Sequence, residues 1–101
     1  MTLGDKQEEF TGMLGRLIVW ATNQGYRLRL GCGYDDDGKG HKDGSNHYIK
    51  LAQDLFVYKP GEIVQDMEAH KRMHDCWDSM GGAPRIEEDM NHYSVIYGGR
   101  W

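Results

Sequence analysis

The sequence predicts a small α+β protein with a small antiparallel sheet and two main helices. Three observations indicate this class: the chain opens with a long amphipathic helical pattern, strand-like segments follow, and short turn signals link them in place of repeated β-α-β units. At 101 residues the chain has the usual size of one domain. We therefore expect a single domain over residues 1–101.

The first element is a helix, predicted from about Asp5 to Gln24. Its apolar residues recur at helical spacing, and Gly25 follows as a natural stop. The recurring apolar positions are Phe10, Met13, Leu14, Leu17, Ile18 and Ala21. One face of this helix is therefore expected to be buried.

Two strands are predicted next, separated by a long loop. Tyr26, Leu28 and Leu30 alternate with arginines, which is the period of a half-buried strand. Residues 32–46 are rich in glycine and aspartate and almost lack aliphatic side chains, so they predict a loop. The segment Ile49 to Tyr58 favours β structure and is closed by a Lys-Pro-Gly turn, which indicates a central strand.

The second half predicts a helix and a final strand, after a short strand around Ile63 and Val64. Asp66 can cap the helix, and Gly81-Gly82 ends it. The apolar stripe of this helix is Ala69, Met73, Cys76, Trp77 and Met80. Trp77 is expected to face the sheet, and Trp20 also to lie in the core. The last strand is predicted around His92 to Tyr97.

Composition argues against several classes of protein. Twelve basic and sixteen acidic residues give a net charge of −4, with no basic run to follow a phosphate backbone, so we expect no nucleic-acid partner. The longest apolar run, Leu17 to Ala21, is far shorter than the roughly 20 residues that span a bilayer. We expect no membrane insertion and, without a signal-like start, synthesis in the cytoplasm. Cys32 and Cys76 are expected to be free thiols, with Cys76 buried.

One carboxylate needs an explanation. Asp54 lies in the middle of an apolar predicted strand, where desolvating its charge costs several kcal/mol unless it is paired. His47 precedes this strand and His92 opens the last one, and two imidazoles with one carboxylate make a usual catalytic zinc set. We therefore predict a Zn²⁺ site formed by His47, Asp54 and His92.

The spacing of these residues adds two constraints. His47 and Asp54 are an odd number of residues apart, so a regular strand would put them on opposite faces. His47 must then lie in the loop, or a bulge must separate the two. Asp89 is expected in the turn before the last strand, where it approaches the metal-bound water from outside the ligand shell as a general base.

Three segments resemble a known family. The stretch from Ser45 to Leu55, SNHYIKLAQDL, matches the S-x-H-x(4)-A-x-D signature of zinc D-alanyl-D-alanine carboxypeptidases and L-alanyl-D-glutamate endopeptidases. The run from Trp77 to Gly82, WDSMGG, and that from Asp89 to Tyr93, DMNHY, resemble the family's W-x-x-x-G-G and D/E-x-x-H-F/Y segments. The resemblance covers roughly residues 10 to 97 and is greatest to short phage endolysins.

This resemblance implies a Hedgehog/DD-peptidase fold, zinc on His47, Asp54 and His92, and Asp89 as the catalytic acid/base. It implies a bacterial peptidoglycan stem peptide as substrate. Cleavage between L-alanine and D-glutamate is favoured over D-alanyl-D-alanine trimming. A monomer is expected, acting on the cell wall after a holin-type release from the cytoplasm.

Two positions depart from the family pattern. The family's substrate-binding arginine, shortly after the first strand, has no counterpart in the region from Gly33 to Asp36. Lys39, Lys42 or an arginine from elsewhere would have to replace it, and Ser45 is a further candidate to contact substrate. Gln53 stands where an apolar residue is commoner, which we interpret as a packing detail.

Two other functions share the same residues. Two histidines and one aspartate also describe the facial triad of non-haem iron oxygenases. Alternatively, the protein keeps a metal for folding and has lost turnover, a hypothesis motivated by the absent arginine.

Each residue of the site also has a plainer interpretation. His47 taken alone would be a loop histidine, His92 a strand histidine, and Asp89 a turn-former or helix cap. His70 and His74, four apart on the second helix, resemble an H-x-x-x-H metal pair without its glutamate, so we place them at the boundary or surface of the helix.

Two further features are left with plain interpretations. The run from Asp35 to Asp37 hints at calcium but lacks the alternating spacing of an EF-hand, so it predicts a solvated loop. Trp101 is either frayed or part of a groove.

Overall fold

A computed structural model describes residues 1–34 and 44–101. Its helices and strands are α1 (Leu3–Asn23), β1 (Leu28–Leu30), β2 (Ala52–Val57), α2 (Met67–Ser79) and β3 (His92–Ser94), with 3₁₀ turns at Asn46–Ile49 and Glu87–Asp89. The α+β class, with two main helices and a small antiparallel sheet, is confirmed. The expectations for Lys39, Lys42 and the aspartates from Asp35 to Asp37 concern positions outside the described residues.

Helix α1 begins and ends where its sequence provides caps. The Thr2 hydroxyl accepts from the Asp5 amide at 3.1 Å, and the Asp5 carboxylate accepts from the Thr2 amide at 2.9 Å. This reciprocal pair satisfies two amides at the start of the helix. The helix stops at Gly25, whose φ of +90° suits a residue without a Cβ. The predicted helix is therefore confirmed, with its start shifted to Leu3.

The sheet has the order β1-β2-β3, and both pairings are antiparallel. All three strands are shorter than predicted. The central strand begins only at Ala52, because Asn46–Ile49 forms a 3₁₀ turn and Lys50 takes a left-handed conformation at φ 59°. After Ser94, β3 ends and the chain turns back through a bridge between Tyr97 and Arg100.

One predicted strand is absent, and the burial predicted for Leu30 in another was wrong. Ile63 and Val64 form no strand and are 94% and 56% exposed, and the neighbouring chain pairs through an isolated bridge between Tyr58 and Gln65. Leu30 is 72% exposed, although it shares an alternation with the half-buried Leu28. Since β1 is an edge strand, only Leu28 packs against the core.

Helix α2 packs against the sheet through Trp77. The Asp66 side chain caps the helix by accepting from the Ala69 amide at 3.1 Å, as predicted. Trp77 is fully buried, packs edge-on against Phe10 at 5.9 Å, and donates from Nε1 to the Ser94 carbonyl of β3 at 2.7 Å. The prediction that Trp77 faces the sheet is therefore confirmed.

Two predicted core residues lie at the margin of the core. Trp20 and Cys76 are only partly buried, so the expectation of a buried Cys76 was wrong. The two cysteines do not form a disulfide. Among the described helices, none combines the length and apolar character needed to cross a membrane.

Candidate metal centre

Three elements bring the predicted ligands together. His47 lies in the first 3₁₀ turn, Asp54 in the central strand β2, and His92 at the start of β3, directly opposite Asp54 in the register. His47 is therefore outside the strand, as its odd spacing from Asp54 required. His47 and His92 are 1% and 6% exposed, so the group is sheltered from solvent.

The three donor atoms form a compact triangle. His47 Nε2 is 3.1 Å from Asp54 Oδ1 and 3.2 Å from His92 Nδ1, and His92 Nδ1 is 3.6 Å from Asp54 Oδ1. Tetrahedral ligands bound at about 2.0–2.1 Å are separated by roughly 3.3–3.4 Å. The triangle is therefore of the right size to hold a metal ion, and these three residues form a group that could bind one.

The protonation of His47 favours a cation at the centre of this triangle. Its Nδ1 lies 2.7 Å from the Gly33 carbonyl, which can only accept, so Nδ1 is the protonated nitrogen. The Nε2 lone pair then faces Asp54 Oδ1, a buried oxygen with no hydrogen-bond partner among the described residues. Two facing lone pairs need positive charge between them, which a metal ion or a proton supplies. A backbone carbonyl on the outer nitrogen is also the usual support of a metal-binding histidine.

A β-bulge brings the Gly33 carbonyl into place. The Gly31 amide donates to the Asp54 carbonyl at 2.8 Å, and the Asp54 amide donates to the Cys32 carbonyl at 2.7 Å, so two residues oppose one. A Cβ on Gly31 would collide with the Phe56 ring, which explains the glycine. The bulge redirects the chain after β1 towards His47.

Gln53 supports the same segment and is more than a packing detail. Its amide nitrogen donates to the carbonyl of Gly31 at 3.1 Å and to that of Asp54 at 2.9 Å. Its side-chain oxygen occupies the space that a Cβ on Gly33 would need. Gln53 therefore fixes the bulge whose continuation orients His47.

Ser45 and Arg100 support His47 from the opposite side. The Ser45 hydroxyl accepts from the His47 amide at 3.2 Å, which caps the 3₁₀ turn. Arg100 Nη2 donates to the Ser45 carbonyl at 2.7 Å, and Asn46 Nδ2 donates to the Val95 carbonyl at 2.7 Å. The C-terminal turn is thus fastened to the segment that contains His47, the first predicted ligand.

The electrostatics of the group hold Asp54 ionised. Burial alone raises the pKa of Asp54, but its close contacts with His47 and His92 outweigh burial and lower the pKa to about 2. Burial alone also lowers the pKa of His47, yet the contacts with Asp54 and the Gly33 carbonyl leave it raised. Asp54 is therefore a carboxylate at neutral pH, as a metal ligand must be.

Asp89 lies beside the triangle without joining it. It is the last residue of the second 3₁₀ turn, and its Oδ2 is 4.0 Å from His92 Nδ1. The side chain is half exposed, so it can reach molecules arriving from solvent. Asp89 therefore lies in the turn before β3, as predicted, and its role as a general base stays a prediction.

The histidines of helix α2 were placed wrongly. His70 and His74 are 0% and 1% exposed, not at the boundary, because three of their four ring nitrogens find partners inside the core. His70 contacts the Tyr93 hydroxyl at 2.8 Å and Gln65 Oε1 at 2.9 Å, and His74 Nε2 contacts the Met90 carbonyl at 2.7 Å. Burial lowers the pKa of both, to about 4 for His70.

Comparison of the chain with protein-family models and with curated proteins found no match. The fold and the site define a small α+β protein with a three-residue candidate metal centre and an adjacent carboxylate.

Proposed function

We propose that the protein is a zinc peptidase that hydrolyses peptide bonds in bacterial peptidoglycan stem peptides. One observation supports this most: His47, Asp54 and His92 form a triangle of tetrahedral size, and a half-exposed carboxylate, Asp89, lies beside it. Three protein ligands leave a fourth position for water, which distinguishes a catalytic zinc site from a structural one.

Each residue of the proposed site has a separate role in hydrolysis. His47, Asp54 and His92 would hold the zinc ion, which would supply Lewis-acid chemistry by lowering the pKa of water from 15.7 towards about 7 and polarising the peptide carbonyl. Asp89 takes one proton from the attacking water and returns it to the amine that leaves, so the carboxylate is regenerated. Asp54 contributes the negative charge that the two neutral imidazoles lack.

The substrate follows from the sequence resemblance. The S-x-H-x(4)-A-x-D and D-x-x-H-Y segments are similar to those of enzymes that cut stem peptides, and here they contribute His47, Asp54 and His92, which lie together. We favour the bond between L-alanine and D-glutamate, in a phage-lysin role. On this proposal the protein has the Hedgehog/DD-peptidase fold, acts as a monomer, and reaches the wall after release from the cytoplasm.

Mass spectrometry of digested cell wall tests the proposal. Purified peptidoglycan is incubated with the zinc-loaded protein, and the soluble fragments are searched for new amino termini. We expect a new amino terminus at D-glutamate and the matching carboxyl terminus at L-alanine, and neither with Asp89→Ala. Metal analysis of protein purified without added metal comes first, because stoichiometric iron would point instead to the oxygenase alternative.

The absent family arginine supports one alternative. Arg100 is an arginine from elsewhere in the chain, but its Nη2 is already bonded to the Ser45 carbonyl. If the protein binds one zinc ion fully and releases no fragments, the metal serves folding and the enzymatic proposal is wrong.

A further inference from the structure

We propose that His74 is a positioning residue for the metal centre, which holds the segment containing Asp89 and His92 in place. This inference rests on the proposed metal site. His74 lies on α2, belongs to neither the ligand triangle nor the solvent-facing side of the site, and is 1% exposed. Its role is to bind the Met90 carbonyl.

The hydrogen bond to Met90 acts between the two functional residues. His74 Nε2 lies 2.7 Å from the Met90 carbonyl, so Nε2 must be the donor. The next carbonyl, that of Asn91, accepts from the Leu55 amide of β2 at 2.9 Å. Two successive carbonyls are therefore fixed by two different elements. Together they set the backbone directly after Asp89 and directly before His92.

The second ring nitrogen of His74 supports a positioning role for the hydrogen bond to Met90. Nδ1 is buried and has no hydrogen-bond partner among the described residues. An unpaired buried acceptor is costly, and an aliphatic side chain at this position would avoid that cost. The ring also stacks on Tyr93, with centroids 4.2 Å apart and planes 12° apart. Tyr93 is the neighbour of His92, so the stack and the hydrogen bond act on the same segment.

Three variants separate positioning from general stability. His74→Leu removes the donor, and His74→Gln keeps an amide donor near the place of Nε2. Tyr93→Phe is the matched control, because it removes the buried hydroxyl bonded to His70 but preserves the ring that stacks on His74.

Zinc titration and the visible spectrum of bound Co²⁺ are the measurements. We expect His74→Leu to weaken Zn²⁺ binding by about 10–100-fold, the range found when outer partners of ligands are removed. The Co²⁺ bands should shift, because the position of His92 changes. His74→Gln and Tyr93→Phe should keep the parent spectrum and affinity. On a stem peptide that the parent cleaves, kcat of His74→Leu should fall with little change in KM.

Failure of the proposed metal centre can be distinguished from failure of the positioning role. If the parent does not bind one zinc ion, the metal centre itself is wrong. If the parent binds zinc and folded His74→Leu matches it in affinity and spectrum, or His74→Gln is as impaired as His74→Leu, the positioning role is wrong. Should His74→Leu not fold, His74→Gln is compared with His74→Asn, whose shorter amide does not reach the Met90 carbonyl. Equal behaviour of that pair also overturns the proposal.

Discussion

Asp54 shows how a single residue determines the chemistry of its surroundings. A carboxylate in an apolar strand must be paired, and the structure pairs it with two imidazoles from segments before and after it. The sequence predicted these partners because the cost of burying a lone charge left few candidates. It did not indicate the Gly33 carbonyl or Gln53, since backbone atoms and bulges leave no pattern in side-chain types.

At the scale of single residues, the acid/base role of Asp89 can be tested separately from metal binding. We expect Asp89→Ala to bind zinc normally and to lose cleavage by about 10²–10⁴-fold in kcat, the usual contribution of a general acid/base. Glu87→Ala and Glu88→Ala are matched controls, because they remove exposed carboxylates from the same turn. Cleavage by Asp89→Ala at the parent rate would show that the assigned role is wrong.

Unlike Asp89→Ala, which is expected to keep zinc, a substitution of His92 should remove it. His92→Ala removes one of the three proposed ligands, so we expect loss of stoichiometric zinc along with loss of cleavage. Ser94→Ala, a buried change in the same strand, should keep the metal. Zinc retained at one equivalent by His92→Ala, measured by elemental analysis after dialysis, would contradict the ligand assignment.

At the scale of elements, the helices were predicted more closely than the strands. Each helix has a side-chain cap and a glycine stop close to it in sequence, so local signals set its ends. The strand boundaries depend on distant partners. The 3₁₀ turn at Asn46–Ile49 is fastened by contacts that include Arg100, which the β-favouring composition of Ile49 and its neighbours could not indicate.

The position of His70 and His74 in the core has a similar cause. The helical stripe places them beside the apolar residues, and their burial depends on acceptors and donors that lie far away in the chain. From its polarity alone, a sequence pattern predicts that a histidine is exposed. The pattern does not show which hydrogen-bond partners a later strand and turn will provide.

The cap of α2 gives a prediction at this scale. Asp66→Ala removes the acceptor for the Ala69 amide and should cost about 1 kcal/mol, equivalent to roughly 4–8 °C in Tm for a domain of this size. Glu68→Ala removes the same charge from the first turn without the cap, so a few tenths of a kcal/mol are expected. Thermal unfolding followed by circular dichroism compares the two, and equal losses would mean that the cap contributes nothing beyond its charge.

At the scale of the whole molecule, His70 makes the metal-free protein sensitive to acid. Burial lowers its pKa from 6.5 to about 4, so the unfolded chain binds the extra proton first as pH falls. Stability should therefore be fully present above pH 6.5 and decrease by roughly 3 kcal/mol as pH falls to about 4. Urea unfolding across this range measures the slope. His70→Gln should flatten it, and an unchanged slope would exclude His70 as the cause.

Metal binding should stabilise the whole fold. A ligand that binds only the folded state adds about 2.7 kcal/mol at a concentration 100 times its Kd. We expect Tm to rise with added Zn²⁺ and to fall when a chelator removes it. The triple variant His47→Ala, Asp54→Ala, His92→Ala should show no such response, and a response equal to that of the parent would place the zinc elsewhere.

His47 and His92 are 45 positions apart in the chain, and Asp54 belongs to the strand between them. One ion shared by the three would close a large loop in a protein whose two cysteines do not form a disulfide with each other. For comparison, a disulfide across a loop of this length restricts the unfolded chain by about 4 kcal/mol. Removal of the metal by a chelator would thus make the sheet more susceptible to proteolysis. The lifetime of the protein would then depend on the supply of metal.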